Sequence, residues 1–371
     1  MAQRKKRKRR HHTVPRFHLR GFASAEGILR QIDLRTGEHR PVSIGDASVV
    51  KDFYTVVLDD GTRSDVWEER LAEVENHVAP LVRDAITASV WQPTDQERFD
   101  LSAWIALQYL RGPDHRRMLG DMRSMMVRMV VGMGGLAYLR YAMVEGMGRP
   151  VSLAEAEAVW DDIHRRQGPV IQVSGLDHVS AMHAMLEQAT EFIAGRSWHR
   201  VRFGRRTLAI NDSPVALIPA DDHPQFLGVG LANAGSITVA LDRRTLLWLG
   251  EPSMLDFDFP ASTTLARAHN TSMVFGAERF IYTHPDDADP TVGLSMPRPE
   301  RQLVGHGEGT VTDFANRDRP LADVLDQIAT FDGSPDGIIA NYTWPIPGYS
   351  PPQFASRMIL WHPAITSVTG G

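Results

Sequence analysis

Apolar and polar residues alternate over Gly27-Ile28-Leu29-Arg30-Gln31-Ile32-Asp33-Leu34, and Thr36-Gly37 follows as a turn. Phe53-Tyr54-Thr55-Val56-Val57 is β-branched and aromatic, so a small sheet is predicted to open the chain before Asp59-Asp60-Gly61 interrupts it. From Ser64 the period changes. Val66, Leu71, Val74, Val78, Leu81, Val82 and Ile86 recur every three or four residues, which predicts a long amphipathic helix that Ser64 or Asp65 could cap. Thr94 and Glu97 have the spacing of a capping box at the head of a second helix, which carries Leu101, Trp104, Ile105, Leu107 and Gln108 toward Arg111. Gly112-Pro113 ends or kinks it, and helical patterns return over about 117–146, 152–166 and 177–195. Short runs such as Trp198-His199-Arg200-Val201-Arg202-Phe203, Ile237-Thr238-Val239-Ala240-Leu241 and Arg279-Phe280-Ile281-Tyr282 then predict strands separated by Gly, Pro and Asp. Irregular structure is expected after about Asp286.

Together these patterns predict an α+β protein with a small N-terminal sheet, a central helical bundle and a strand-rich C-terminal lobe. The expected divisions are a basic disordered arm over 1–11, a hairpin segment over 12–60, a helical lobe over 61–196 and a strand-rich lobe over 197–371. The methionines Met118, Met122, Met125, Met126, Met129, Met133, Met143 and Met147 form a stripe at helical spacing, for which core packing is the default expectation and a partner helix or an apolar ligand the alternative.

Composition narrows the chemistry. The 371 residues contain no cysteine, which excludes disulfides, thiolate metal sites and a cysteine nucleophile, so any metal must use His, Asp or Glu. The net charge is −5, yet Arg4, Lys5, Lys6, Arg7, Lys8, Arg9 and Arg10 place seven cations together. Such a run attracts phosphate backbones by counterion release, which makes nucleic acid or a nucleotide a candidate partner through this arm; a solvated tail is the alternative. No secretory signal is readable at the start, and Arg128 and Arg140 interrupt the methionine-rich stretch too soon for it to span a membrane. A cytoplasmic protein with no membrane partner is expected. Neither a Rossmann fingerprint nor a P-loop is present.

The run His12-Thr13-Val14-Pro15-Arg16-Phe17-His18-Leu19-Arg20-Gly21-Phe22 resembles the opening signature of domain-of-unknown-function family 4238, a bacterial family. Lys51-Asp52-Phe53-Tyr54, Glu68 and Glu75, then Gln108 and Arg111 before Gly112-Pro113, follow the same pattern. Asn211-Asp212-Ser213-Pro214-Val215 resembles the family's Ser-Asp-Asn-Pro-Val turn, with Asn211 and Ser213 as departures, and Asn270 with Ala277, Arg279 and Tyr282 fits its last block. The resemblance implies no activity, but it selects polar residues.

Glu68 and Glu75 are seven residues apart and so share a helix face about 10 Å apart along the axis. Gln108 and Arg111 share a face of the next helix. If the segment with His12 and Arg16 docks there, an imidazole, two carboxylates, an amide and guanidiniums meet. In a functional reading His12, Glu75 and Arg111 are catalytic, and Arg16, Gln108 and Asn270 bind substrate. His12, Glu68, Glu75 and Asp212 would then hold a divalent metal, Mg or Mn. The chain would be a metal-assisted hydrolase of phosphodiesters, such as a nuclease. The alternative is a non-enzymatic nucleotide- or anion-binding module that signals to a protein partner. In the structural reading, a buried ion pair of Arg111 with Glu68 or Glu75 merely staples the N-terminal segment to the bundle.

Overall fold

The computed structural model describes residues 9–57, 60–165, 169–221, 223, 229–252, 257–259, 261–294 and 317–330. Its elements in order are β1 (Arg10–His12), α1 (Arg16–Arg20), β2 (Ile28–Asp33), β3 (His39–Ser43), β4 (Val49–Lys51), β5 (Val56–Val57) and β6 (Arg63–Ser64). Five helices follow: α2 (Val66–Thr87), α3 (Asp95–Leu110), α4 (Pro113–Met147), α5 (Leu153–His164) and α6 (Gly175–Ala194). The rest is β7 (Ser197–Arg202), β8 (Ile210–Asn211), β9 (Ala216–Pro219), β10 (Ala234–Ala240), β11 (Thr245–Gly250), β12 (Phe257–Phe259), α7 (Thr263–Gly276), β13 (Phe280–Thr283) and α8 (Leu321–Thr330). The α+β class expected from the pattern is the class found.

The described residues fall into two compact units. One takes those up to Arg116 and those from Ser174 to Leu294; the other takes Arg117–Val173 with Arg317–Thr330. Boundaries expected near 60 and 196 both lie inside the first unit, whereas the stretch expected as one helical bundle contributes to both.

In the first unit, β2 and β3 form the expected hairpin, with Gly37 in the turn at φ 72°. A two-stranded hairpin alone is marginal in water. It is completed by β13, which pairs Tyr282 with Gln31 and brings β8 along its other edge, giving the order β3-β2-β13-β8. A second sheet, β12-β7-β11-β10-β9, is antiparallel except for the β12–β7 pair. Strand β1 pairs with β4, so the arm expected to be disordered through residue 11 ends as strand. Its cations Arg9 and Arg10 pair with Asp52 and Asp46; Arg4, Lys5, Lys6, Arg7 and Lys8 lie outside the described residues.

Helices α2, α3 and α6 carry the larger core. Leu71, Val78 and Val82 of α2, Leu101, Ile105 and Leu107 of α3, and Met182, Leu186 and Ile193 of α6 are buried together with Ile237 and Leu247 of the second sheet. The capping box read from Thr94 and Glu97 is formed, with Thr94 Oγ1 accepting from the Glu97 N–H and Glu97 Oε2 accepting from the Thr94 N–H. Arg111 closes α3, and Pro113 opens α4 at the position where its missing N–H matters least.

In the second unit, α4 is broken at Gly135, whose φ of 77° and ψ of 176° no helix contains. Two backbone groups beside the break are satisfied by the segment before α8: Met133 O accepts from Arg319, and Leu136 N–H donates to Arg317 O. The methionine stripe corrects an expectation. Met122, Met125, Met126, Met129, Met133 and Met147 are exposed instead of packed, Met118 is half-buried, and Met143 packs against the core as expected. The inward face consists of Gly120, Ser124, Val127 and Val131: a Cβ on Gly120 would meet Ile171 O at 2.8 Å, Ser124 donates to Pro169 O, and the two valines pack into the core of this unit. Close approach of residues 169–173 at Gly120 and Ser124 turns the methionines outward. None of the described helices is long and apolar enough to cross a membrane.

Candidate functional site

Trp104, Gln108 and Arg111 recur at i, i+4 and i+7 on α3 and therefore share one face of that helix. The N-terminal segment runs along this face. At one end the rings of Phe17 and His18 lie 5.8 and 5.1 Å from Trp104; at the other, Arg111 Nη2 donates to His12 O at 2.5 Å. Gln108 sits between the two contacts.

Arg111 is fully enclosed, at 1% exposure, and every arm of its guanidinium is used. Nη1 donates to Glu75 Oε1 at 2.8 Å, Nη2 to the His12 carbonyl, and Nε to Tyr54 Oη at 3.2 Å. Tyr54 Oη in turn donates to Arg111 O at 3.0 Å. Burial opposes the arginine's charge, but Tyr54 and Glu75 outweigh it and hold the pKa above its ordinary value. Burial raises the Tyr54 pKa, against the pull of Arg111 and with help from Glu68 and Glu75. Helices α2 and α3 thus place Glu75 on Arg111 as their faces allowed, and Glu68 lies near enough to act on the same tyrosine. His11 anchors the other side of Tyr54: its Nδ1 accepts from the Tyr54 N–H at 2.8 Å, and the rings stack at 5.7 Å.

Along the seam between this segment and α3, five buried polar atoms have no protein partner: His12 Nε2, His18 Nδ1, Trp104 Nε1, and Nε2 and Oε1 of Gln108. Leaving such a group unsatisfied costs about 1–3 kcal/mol, so native interiors pair nearly all of them with protein, water or ligand. Burial lowers His18 to about 4, against the bond of its Nε2 to Ala240 O at 2.7 Å, which leaves Nδ1 as a lone-pair acceptor. His12 is lowered by burial first and then by Arg16, Arg111 and Arg10, while a hydrogen bond to the Gly45 backbone opposes them.

The outer end of the seam is cationic. Arg10 donates to Gly45 O and pairs with Asp46, and Arg16 is exposed beside the same turn, its Nη2 3.7 Å from where a Cβ on Gly45 would lie. Asp46 and Arg10 offset each other. No acid among the described residues forms a salt bridge with Arg16.

The expected metal set is not assembled. Among the described residues, no three His, Asp or Glu side chains converge in a geometry that could hold an ion. Three guanidiniums act on His12, and Glu75 is held by Arg111, so a cation finds poor surroundings there. Asp212 is spent elsewhere: its carboxylate accepts from the backbone N–H groups of Glu278, Arg279 and Phe280 at 2.8, 2.8 and 2.9 Å, fixing the start of β13. Asn270, expected to bind substrate, accepts from Ala209 N–H and donates to Thr207 O, so both ends of its amide hold one loop. These described residues therefore do not fit a Mg or Mn site.

The structure brings together His12, Arg16, Glu75, Gln108 and Arg111 and leaves Asp212 and Asn270 outside. Sequence reasoning passed over three members. Tyr54 lies within the family-like run Lys51-Asp52-Phe53-Tyr54, His18 stands six residues after His12 in the same signature, and Trp104 precedes Gln108 by one turn. The helical spacing of Trp104 and Gln108 was the available signal. No curated protein and no solved structure matches the chain. A family model matches residues 10–287, which include the whole seam and the Asp212 clamp, and on that match the chain belongs to the family described as Protein of unknown function (DUF4238).

Proposed function

We propose that the seam between the N-terminal segment and α3 binds a small phosphate-bearing molecule, and that the chain acts as a binding module. The observation that carries this reading is the fully buried Gln108, whose amide nitrogen and oxygen both lack a protein partner, on a face whose other end meets His12 and its guanidiniums. Arg16, exposed at the outer end of the seam, supplies a charge-assisted donor. Gln108 and Trp104 Nε1 offer inner donors and an acceptor, the pattern that a nucleotide's heterocycle would use beyond its phosphate. Arg111 is not free to grip the ligand, because Glu75, Tyr54 and the His12 carbonyl occupy it; it frames the seam.

Calorimetric titration with inorganic phosphate, pyrophosphate and nucleoside monophosphates tests this. Binding is expected to weaken on the order of tenfold in Arg16→Glu, a loss typical of one charge-assisted contact, and to weaken as salt rises. No heat with any of the probes, or equal affinity in Arg16→Glu, overturns the reading. The hydrolase alternative is tested in the same preparation by incubation with plasmid, RNA and mixed nucleotides plus magnesium or manganese. Turnover that disappears in Glu75→Gln would replace a binding role with a catalytic one.

A further inference from the structure

Between Arg117 and Met133, every exposed residue is Met, Val or Arg: Arg117, Met122, Arg123, Met125, Met126, Met129, Val130 and Met133. Met122 is 54% exposed and Met126 59%. The apolar members recur at three- and four-residue steps, so they form one continuous stripe about three turns long on the first half of α4. A surface helix ordinarily turns such a stripe inward. Here the inward positions are taken by Gly120, Ser124, Val127 and Val131, and contiguous exposed apolar surface of this kind marks an interaction site.

We infer that this stripe docks an amphipathic helix of a protein partner whose apolar face is flanked by Asp and Glu. Three features select that occupant. The exposed charges along the stretch, Arg117 and Arg123, are positive; Arg117 pairs with Asp121 and the half-buried Arg128 donates to His164 O, which leaves a positive balance, so an acidic rim is the complementary one. The apolar residues are unbranched thioethers with one valine, and methionine adapts its shape to side chains of another protein. A face built for a bilayer instead carries Trp, Phe and Leu, and none of these is exposed here. Two copies of this chain meeting through the stripe would bring like-charged arginine edges together, which disfavours self-association.

The test uses full-length protein with methyl-labelled methionine and two synthetic helical peptides that share a leucine face, one flanked by glutamates and one by lysines. The glutamate peptide is expected to shift the methyl signals of Met122, Met125, Met126, Met129 and Met133, with affinity at least about tenfold above that of the lysine peptide and falling with salt. Met125→Glu/Met129→Glu, at exposed positions, is expected to keep the thermal midpoint and lose the peptide. Should that variant unfold, Arg123→Glu serves in its place. Equal affinity for the two peptides, or none for either, overturns the inference. So does stripe-dependent binding to vesicles of phosphatidylserine and phosphatidylcholine without peptide binding, or self-association of the chain abolished by the same variant.

Discussion

Arg111→Met is expected to destabilise the first unit by ~3–5 kcal/mol, the loss that follows when one partner is removed from a buried ion pair. The substitution leaves three groups behind: the Glu75 carboxylate, the His12 carbonyl and the Tyr54 hydroxyl. Methionine fills much of the volume, so the deficit reports polar groups instead of a cavity. Glu75→Gln should cost less, because the Glu75 side chain retains 22% exposure and a glutamine oxygen still accepts from Nη1. Urea unfolding of the three proteins checks the order. A loss below about 1 kcal/mol in Arg111→Met, the range of an exposed pair, would mean that Arg111 does not hold the N-terminal segment on α3.

Asp212→Ala is expected to cost about 3 kcal/mol or more at pH 5, since it strips three backbone N–H groups of a shared acceptor. The deficit should shrink toward pH 8. Burial, aided by the nearby Asp114 and opposed by those three donors, lifts the Asp212 pKa from 3.8 to about 7. Between these values the fold keeps a proton that the unfolded chain has released, so the wild type loses stability as pH rises, by up to ~1.4 kcal/mol per pH unit. The alanine variant lacks that slope. Unfolding curves from pH 5 to 8 separate the cases, and a deficit that stays constant over this range would show that Asp212 is ionised throughout, held by its donors.

Much of the helical part was legible because its signals are local. The Thr94–Glu97 box, the breaks at Gly112-Pro113, and the seven-residue spacing of Glu68 and Glu75 each depend on residues within two turns. The Glu75–Arg111 pair was also foreseeable as a meeting of two helix faces. The sheets were less so. Pairing of Tyr282 with Gln31, and the bond from His18 to Ala240, join residues more than 200 positions apart, and no periodicity encodes them. Helix α7 lay hidden between short strand-like runs, although Ser262 caps it by accepting from the Leu265 N–H. The methionine stripe misled because periodicity identifies a face without saying which way it points; Gly120 and Ser124 on the opposite side carried that information. Asp212 and Asn270 were chosen for their chemistry, but backbone donors and acceptors had already claimed both.

The bearing of the seam rests on Gln108, and one substitution separates a ligand role from a packing role. Leucine at that position removes both unpaired amide atoms while keeping most of the volume, and replacing buried polar groups by apolar ones of similar shape is neutral or stabilising. Urea unfolding and phosphate titration of Gln108→Leu, side by side, should therefore give a protein as stable as the wild type or more so, with phosphate binding reduced on the order of tenfold or beyond. A clear loss of stability with phosphate affinity intact would contradict the account, since it would make the amide part of the protein's own framework.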